Sequence, residues 1–129
     1  MPLKLSVSSG EKFIVNGAVI RNDGDNANLV FENQAQILRQ KDILSADTAT
    51  TPAARVYFAL QCAYLFPERA STYLKNLHDF LGDYVAAAPS AKAIADEILK
   101  SVECDQLYQG LKFCGELINH EREVLSHVG

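Results

Sequence analysis

Between residues 13 and 20 the sequence reads FIVNGAVI, which places an Asn-Gly pair between two runs of β-branched and aromatic residues. A two-residue turn between antiparallel strands needs a positive φ at both central positions, and Asn16 and Gly17 adopt such angles at little cost. The stretch therefore predicts a β-hairpin, and a hairpin this short needs further strands or a helix beside it to be stable.

Strand patterns continue on both sides of the hairpin. Residues 3–7 alternate apolar and polar side chains with a period of two, as a half-buried strand does. After a second turn at residues 22–26, which is rich in Asn, Asp and Gly, residues 29–31 and 36–39 give a fourth and a fifth strand. We therefore predict a five-stranded antiparallel β-meander within residues 1–44. Either the helices or a second copy of the sheet should cover it.

The pattern changes from strand to helix after a polar linker at residues 45–51. Thr51 is a good N-cap, and Pro52 fits the first helical position, where its missing N–H costs nothing. Apolar residues then recur at helical spacing and predict a C-terminal antiparallel bundle of about four helices over residues 52–129. The expected fold class is α+β, with the β-rich segment before the bundle.

Composition and charge exclude several functions. The chain has 129 residues with 12 basic and 16 acidic side chains, and no apolar run approaches the roughly 20 residues that span a bilayer. We expect a cytoplasmic protein with neither a membrane nor DNA as partner. Residues 1–44 carry five basic and five acidic side chains, so the net charge of −4 lies in the helical part. RNA would therefore meet the β-rich part.

No catalytic, cofactor or metal site is predicted. The histidines His78, His120 and His127 lack cysteine or acidic partners at ligand spacing, and solvated helix positions explain them. The three cysteines fit small buried hydrophobes within helices, and Ser90 is predicted to cap the third helix. The chain is therefore expected to bind rather than to catalyse, without a cofactor.

One charged cluster near the end of the β-rich part is a candidate binding site. Arg39 and Lys41 are two residues apart and would share a face if the last strand continued past Arg39. An arginine on a strand can hold a phosphate or read a base edge with its planar fork. The same residues fit a solvated strand edge, where cations prevent edge-to-edge association. The residues alone leave both interpretations open.

Five blocks of sequence follow one another in a distinctive order. They are MPLKL at 1–5, GEKFIVNGAV at 10–19, EN at 32–33, ILRQKDI at 37–43 and ATTPAARVYF at 49–58. Together they resemble the FlbT family of flagellum-biosynthesis regulators, over nearly the whole chain. The resemblance implies a non-enzymatic regulator that binds the 5′ untranslated region of flagellin mRNA and promotes its degradation or blocks its translation. It also implies a FlaF-like protein as partner.

The β-rich part also looks like the carbon storage regulator CsrA, a five-stranded RNA-binding homodimer. Leu5 and Arg39 fall where that family has its first-strand leucine and its last-strand arginine, so the resemblance implies that both contact RNA. That family has basic residues after the first-strand leucine, where this chain has Val7 and Ser8.

Two functions are expected from these observations. In the first, an RNA-binding regulator presents Arg39, Lys41, Leu5 and Lys4 to a flagellin mRNA leader, as a homodimer formed through the sheet. In the second, a protein-interaction adaptor binds FlaF or flagellin through its helices and affects mRNA indirectly.

Overall fold

The computed structural model describes the backbone of residues 3–128 and the side chains of residues 3–126, so the predicted environment of His127 lies outside the described side chains. The chain forms two compact units, Met1–Ile43 and Leu44–Gly129, which we call the β unit and the helical unit. Within the described residues, five antiparallel strands precede four helices. The predicted α+β class is therefore confirmed.

The β unit contains two small sheets. Their strands are β1 (Leu3–Val7), β2 (Lys12–Val15), β3 (Ala18–Arg21), β4 (Ala27–Phe31) and β5 (Ile37–Arg39). In one sheet β1 pairs with β4, and in the other the order is β3-β2-β5. The order is therefore not that of the predicted meander, because β2 and β3 are the only consecutive strands of the described chain that pair.

Two turns explain why β1 and β2 lie in different sheets. The Ser8 carbonyl accepts the Glu11 N–H at 3.0 Å with Gly10 at φ +80°, and Gly10 and Glu11 then both bond the backbone of Asn22. This is a tight turn followed by a β-bulge, where glycine supplies the left-handed angle. The Asn22 amide donates to the carbonyl oxygens of Val7 and Ser8, both at 3.2 Å. The turn that leads into β4 is thereby held at the end of β1.

The predicted Asn-Gly hairpin is confirmed. Asn16 has a φ of 49° and Gly17 a φ of 87°, and Val15 lies opposite Ala18 across the turn. The Asn16 side-chain oxygen accepts the backbone N–H of Gln36, and the backbone N–H of Asn16 donates to the Gln36 carbonyl, both at 2.9 Å. The hairpin turn therefore also fixes the start of β5.

Both sheets contribute to one apolar core in the β unit. Its buried members are Leu5, Val7, Phe13 and Ile37, with Val15, Phe31 and Ala35 packed against them. Burial alternates along β1, as its period-two pattern predicts, but β2 and β5 each bury two consecutive residues.

The helical unit contains α1 (Pro52–Leu65), α2 (Ala70–Ala87), α3 (Lys92–Glu103) and α4 (Leu107–Val128). Thr51 caps α1 as predicted, since its hydroxyl accepts the Ala54 N–H at 3.2 Å. α1 packs against α2 and α4, and α3 packs against α4. Fully buried side chains from all four helices form its core, among them Leu60, Leu77, Ile98 and Leu117.

Two details of the helical unit differ from the sequence predictions. Pro89–Ala91 form a 3-10 turn, and α3 begins after Ala91 without a side-chain cap, so Ser90 does not cap it. Cys62 and Cys114 are buried as expected, but Cys104 is exposed. No helix within the described residues is long and apolar enough to cross a membrane.

Candidate nucleic-acid interface

Arg39 is the last residue of β5, and its side chain is held by the turn between β1 and β2. The guanidinium donates to Glu11 through Nε (3.2 Å to Oε2) and through Nη2 (2.9 Å to Oε2 and 3.1 Å to Oε1), and Nη2 also donates to the Ser6 carbonyl at 2.6 Å. These bonds join β5 of one sheet to β1 of the other. The Arg39 side chain is 33% exposed, and its Nη1 takes no part in these bonds.

The Glu11 carboxylate is the negative centre of this site. Its Oε1 accepts the Ser8 N–H at 3.0 Å, and this bond together with the Arg39 guanidinium lowers the pKa of Glu11 below its ordinary value of 4.5. Lys41 adds a smaller attraction of the same sign. Glu11 is therefore ionised near neutral pH and offsets one of the positive charges around it.

Two lysines belong to the segments that carry this pair, and neither forms a salt bridge with a residue that the structure describes. Lys41 is exposed on the 3-10 turn Gln40–Asp42, and its charge acts on the Glu11 carboxylate. Lys12 follows Glu11 directly, and its N–H donates to the Gln40 Oε1 at 2.8 Å. The side chain of Gln40 therefore ties the start of β2 to the turn that carries Lys41.

Strand β1 holds the other two predicted contacts. Leu5 is 9% exposed and belongs to the core of the β unit. The contact with RNA that the CsrA resemblance implies for Leu5 stays a prediction. Lys4 is exposed and lies two residues before Ser6, whose carbonyl accepts Arg39. We call five charged residues the Arg39 cluster: the interacting Glu11, Arg39 and Lys41, together with Lys12, which follows Glu11, and Lys4, two residues before Ser6.

Arg39 and Lys41 are neighbours for a different reason from the predicted one. β5 ends at Arg39 and the chain turns at once, so the two residues do not alternate along one strand. They share a surface because both interact with Glu11. The roles of Glu11, Lys12 and Gln40 were not predicted from the sequence. The Gly-Glu pair at residues 10–11 was the available signal, since it places a carboxylate on a tight turn.

The lowered pKa of Glu11 makes the stability of the fold depend on pH. A carboxyl group whose pKa is lower in the folded chain stabilises the fold above its unfolded pKa, and this contribution is lost as pH falls through the folded pKa. We expect the free energy of unfolding to decrease more steeply below about pH 4.5 in the native chain than in Glu11→Gln. Urea denaturation from neutral to acid pH measures this, and equal pH dependences would contradict it.

A second polar cluster lies in the helical unit. His120 on α4 bonds the Tyr84 hydroxyl through Nδ1 and the Ser90 hydroxyl through Nε2, both at 2.8 Å, so it is not the solvated residue that we predicted. The buried Glu121 accepts the Ala53 N–H at 3.0 Å, and burial together with the Glu121 charge raises the pKa of Tyr84. These bonds connect α1, α2 and α4 and have a structural role. Residues 3–126 contain no group of three metal-ligating side chains.

The fold and the site define a small α+β protein with a charged, mainly basic cluster on its β unit. Its helical unit has a larger apolar core than its β unit. The family model described as "Flagellar protein FlbT" matches residues 3–125. The chain belongs to the FlbT family.

Curated relatives agree over nearly the full length. The chain is 38% identical to the "Probable flagellum biosynthesis repressor protein FlbT" of a Caulobacter species, over 99% of each chain. It is 37% identical to the "Flagellum biosynthesis repressor protein FlbT" of Caulobacter vibrioides, over 99% of this chain and 92% of the relative. A probable repressor of the same name from Rhodopseudomonas palustris is 32% identical, over 98% and 99%. No solved structure matches the chain.

Proposed function

We propose that this chain represses flagellum biosynthesis after transcription, by binding the 5′ untranslated leader of flagellin mRNA through the Arg39 cluster. Its relatives are named flagellum biosynthesis repressors, and a regulator of this kind needs to bind rather than to catalyse. Occupancy of the leader would change the access of ribosomes or nucleases to the message. The proposal places the chain in the cytoplasm, where flagellin mRNA is translated.

The observation that carries this proposal is the local excess of positive charge. Arg39 and Lys41 both act on the carboxylate of Glu11, and Lys12 and Lys4 lie on β2 and β1, the strands on either side of the turn that carries Glu11, in a β unit whose overall charge is balanced. Phosphate contacts supply much of the affinity of proteins for RNA, and lysines without a salt bridge are free to make them. The Nη1 edge of Arg39 adds a planar donor to this cluster.

Binding to a flagellin leader RNA as a function of salt tests the proposal. Each lysine that contacts a phosphate of single-stranded RNA contributes about 0.7 to the slope of log K against log salt. With four cations in contact, affinity should therefore fall roughly 50-fold when the salt concentration rises fourfold. We expect Lys41→Ala to weaken binding and to reduce the slope by about 0.7.

The matched control is Lys75→Ala, which removes an exposed lysine from α2 of the helical unit. It should leave both the affinity and the salt dependence unchanged. Equal losses in the two variants, or no binding by the native chain at low salt, would refute the proposed interface.

A groove in the helical unit supports the second candidate function, that of a protein adaptor. It has a volume of about 290 Å³ and lies between α1, α2 and the segment before α1. Aromatic side chains line it together with one cation and one amide, a combination that suits an apolar protein segment bearing a polar anchor: Arg55, Phe58, Tyr73, Asn76 and Phe80.

The two functions separate in one comparison. If a FlaF-like protein or flagellin binds this groove, Arg55→Glu should abolish its capture by the purified chain and relieve repression in cells. Lys41→Ala would then have no effect on repression. The reverse pattern favours direct RNA binding.

A further inference from the structure

Strand β3 is an exposed and unprotected edge of its sheet. It lies at the end of the order β3-β2-β5, and all four of its residues are exposed. Val19 is 69% exposed, the highest value among the large apolar side chains that the structure describes, and Ile20 is 39% exposed. Edge strands are usually protected by lysine, proline or a bulge. β3 carries one charge, that of Arg21, which already pairs with Asp23 at 3.5 Å.

The hairpin register shows which backbone groups of β3 are unpaired with β2. In a two-residue hairpin the residues that flank the turn, Val15 and Ala18, form a hydrogen-bonded pair, and such pairs alternate along the strands. Ile20 is therefore bonded to β2. The N–H and C=O groups of Val19 and Arg21 point away from β2, toward the open edge.

Charge favours a second copy of this chain as the occupant of that edge. The β-rich residues 1–44 carry balanced charge, so two β units meet without net repulsion, whereas the helical part carries the whole net charge of −4. A strand that pairs with its own copy in antiparallel fashion is also self-complementary about a two-fold axis. No other partner is required to satisfy the edge.

We propose that β3 pairs antiparallel with β3 of a second copy, with Ile20 opposite the partner's Ile20. In this register Val19 lies opposite the partner's Arg21, so the outward backbone groups of both strands meet and no two cations face each other. The pairing joins two three-stranded sheets into one of six strands and covers the apolar side chains of β3. It does not depend on RNA binding.

Cysteine crosslinking tests this register directly. The paired Ile20 residues form a non-hydrogen-bonded pair, whose Cα atoms lie about 4.5 Å apart, within the range of a disulfide. In a Cys104→Ser background, which removes the exposed thiol, we expect Ile20→Cys to form a disulfide-linked dimer under mild oxidation. Val19→Cys should form several-fold less, because its diagonal distance to the partner's Val19 is about 7–8 Å.

Sedimentation of the native chain is the second measurement. It should show the mass of two chains at micromolar concentration. Val19→Pro should shift it toward one chain, because it removes an outward N–H at a position where an edge strand tolerates proline. Leu125→Lys, at an exposed apolar residue of α4, should leave the dimer intact. A monomeric native chain, or equal crosslinking of the two cysteine variants, would overturn the proposal, whether or not the chain binds RNA.

Discussion

Leu60→Ala should lower the free energy of unfolding by about 2–5 kcal/mol. Leu60 is fully buried on α1, which packs against both α2 and α4. Gly110 of α4 approaches it so closely that a Cβ at that position would lie 2.9 Å from the Leu60 Cδ2. Because glycine has no side chain to move into the vacated space, the cavity left by the truncated leucine should remain largely unfilled.

The matched control for this prediction is Leu125→Ala on α4. Leu125 is 59% exposed, so the same truncation there should change the free energy of unfolding by no more than about 0.5 kcal/mol. Urea denaturation followed by circular dichroism measures both variants. A loss below about 1 kcal/mol for Leu60→Ala would show that α1 and α4 repack around the cavity.

The elements that were predicted correctly depend on chemistry within a few residues. Asn16 and Gly17 specify a turn by their own backbone preferences, and Thr51 with Pro52 specifies a helix start in the same way. The order of the strands is different, because it depends on contacts between distant segments. The bonds from Asn22 to the end of β1 decide that β4 returns beside β1. The pattern of alternating apolar and polar residues fits a meander as well as it fits the observed strand order, and it does not reveal the hydrogen bonds of Asn22.

The same distinction applies to the candidate site. Arg39 could be selected from the sequence as a cation near a strand end, but its partner Glu11 is 28 positions away and no local pattern connects the two. The environment of Lys41 depends on where β5 ends, which periodicity does not determine to a single residue. In the helical unit, His120 was assigned to solvent because its two partners are 36 and 30 positions away.

Arg39→Ala should weaken binding to the flagellin leader by about 1–3 kcal/mol, or roughly 5- to 150-fold, if the guanidinium contacts RNA as we propose. Arg39→Lys keeps the charge but loses the planar fork, so it should restore only part of the affinity. Because Arg39 also joins the two sheets through Glu11 and Ser6, a loss of affinity alone does not separate contact with RNA from support of the fold.

Glu11→Gln separates these two roles. The substitution removes the carboxylate that holds Arg39 and therefore weakens the link between the sheets, but it also removes the one negative charge from the Arg39 cluster. If Arg39 contacts RNA, the affinity of Glu11→Gln should equal or exceed that of the native chain, since less charge opposes the phosphates. If Arg39 acts only through the fold, Glu11→Gln and Arg39→Ala should both lower the affinity. RNA-binding titrations at low salt, on variants whose circular dichroism matches that of the native chain, decide between these outcomes. If both variants lose affinity, Arg39 is a positioning residue and the lysines are the RNA contacts.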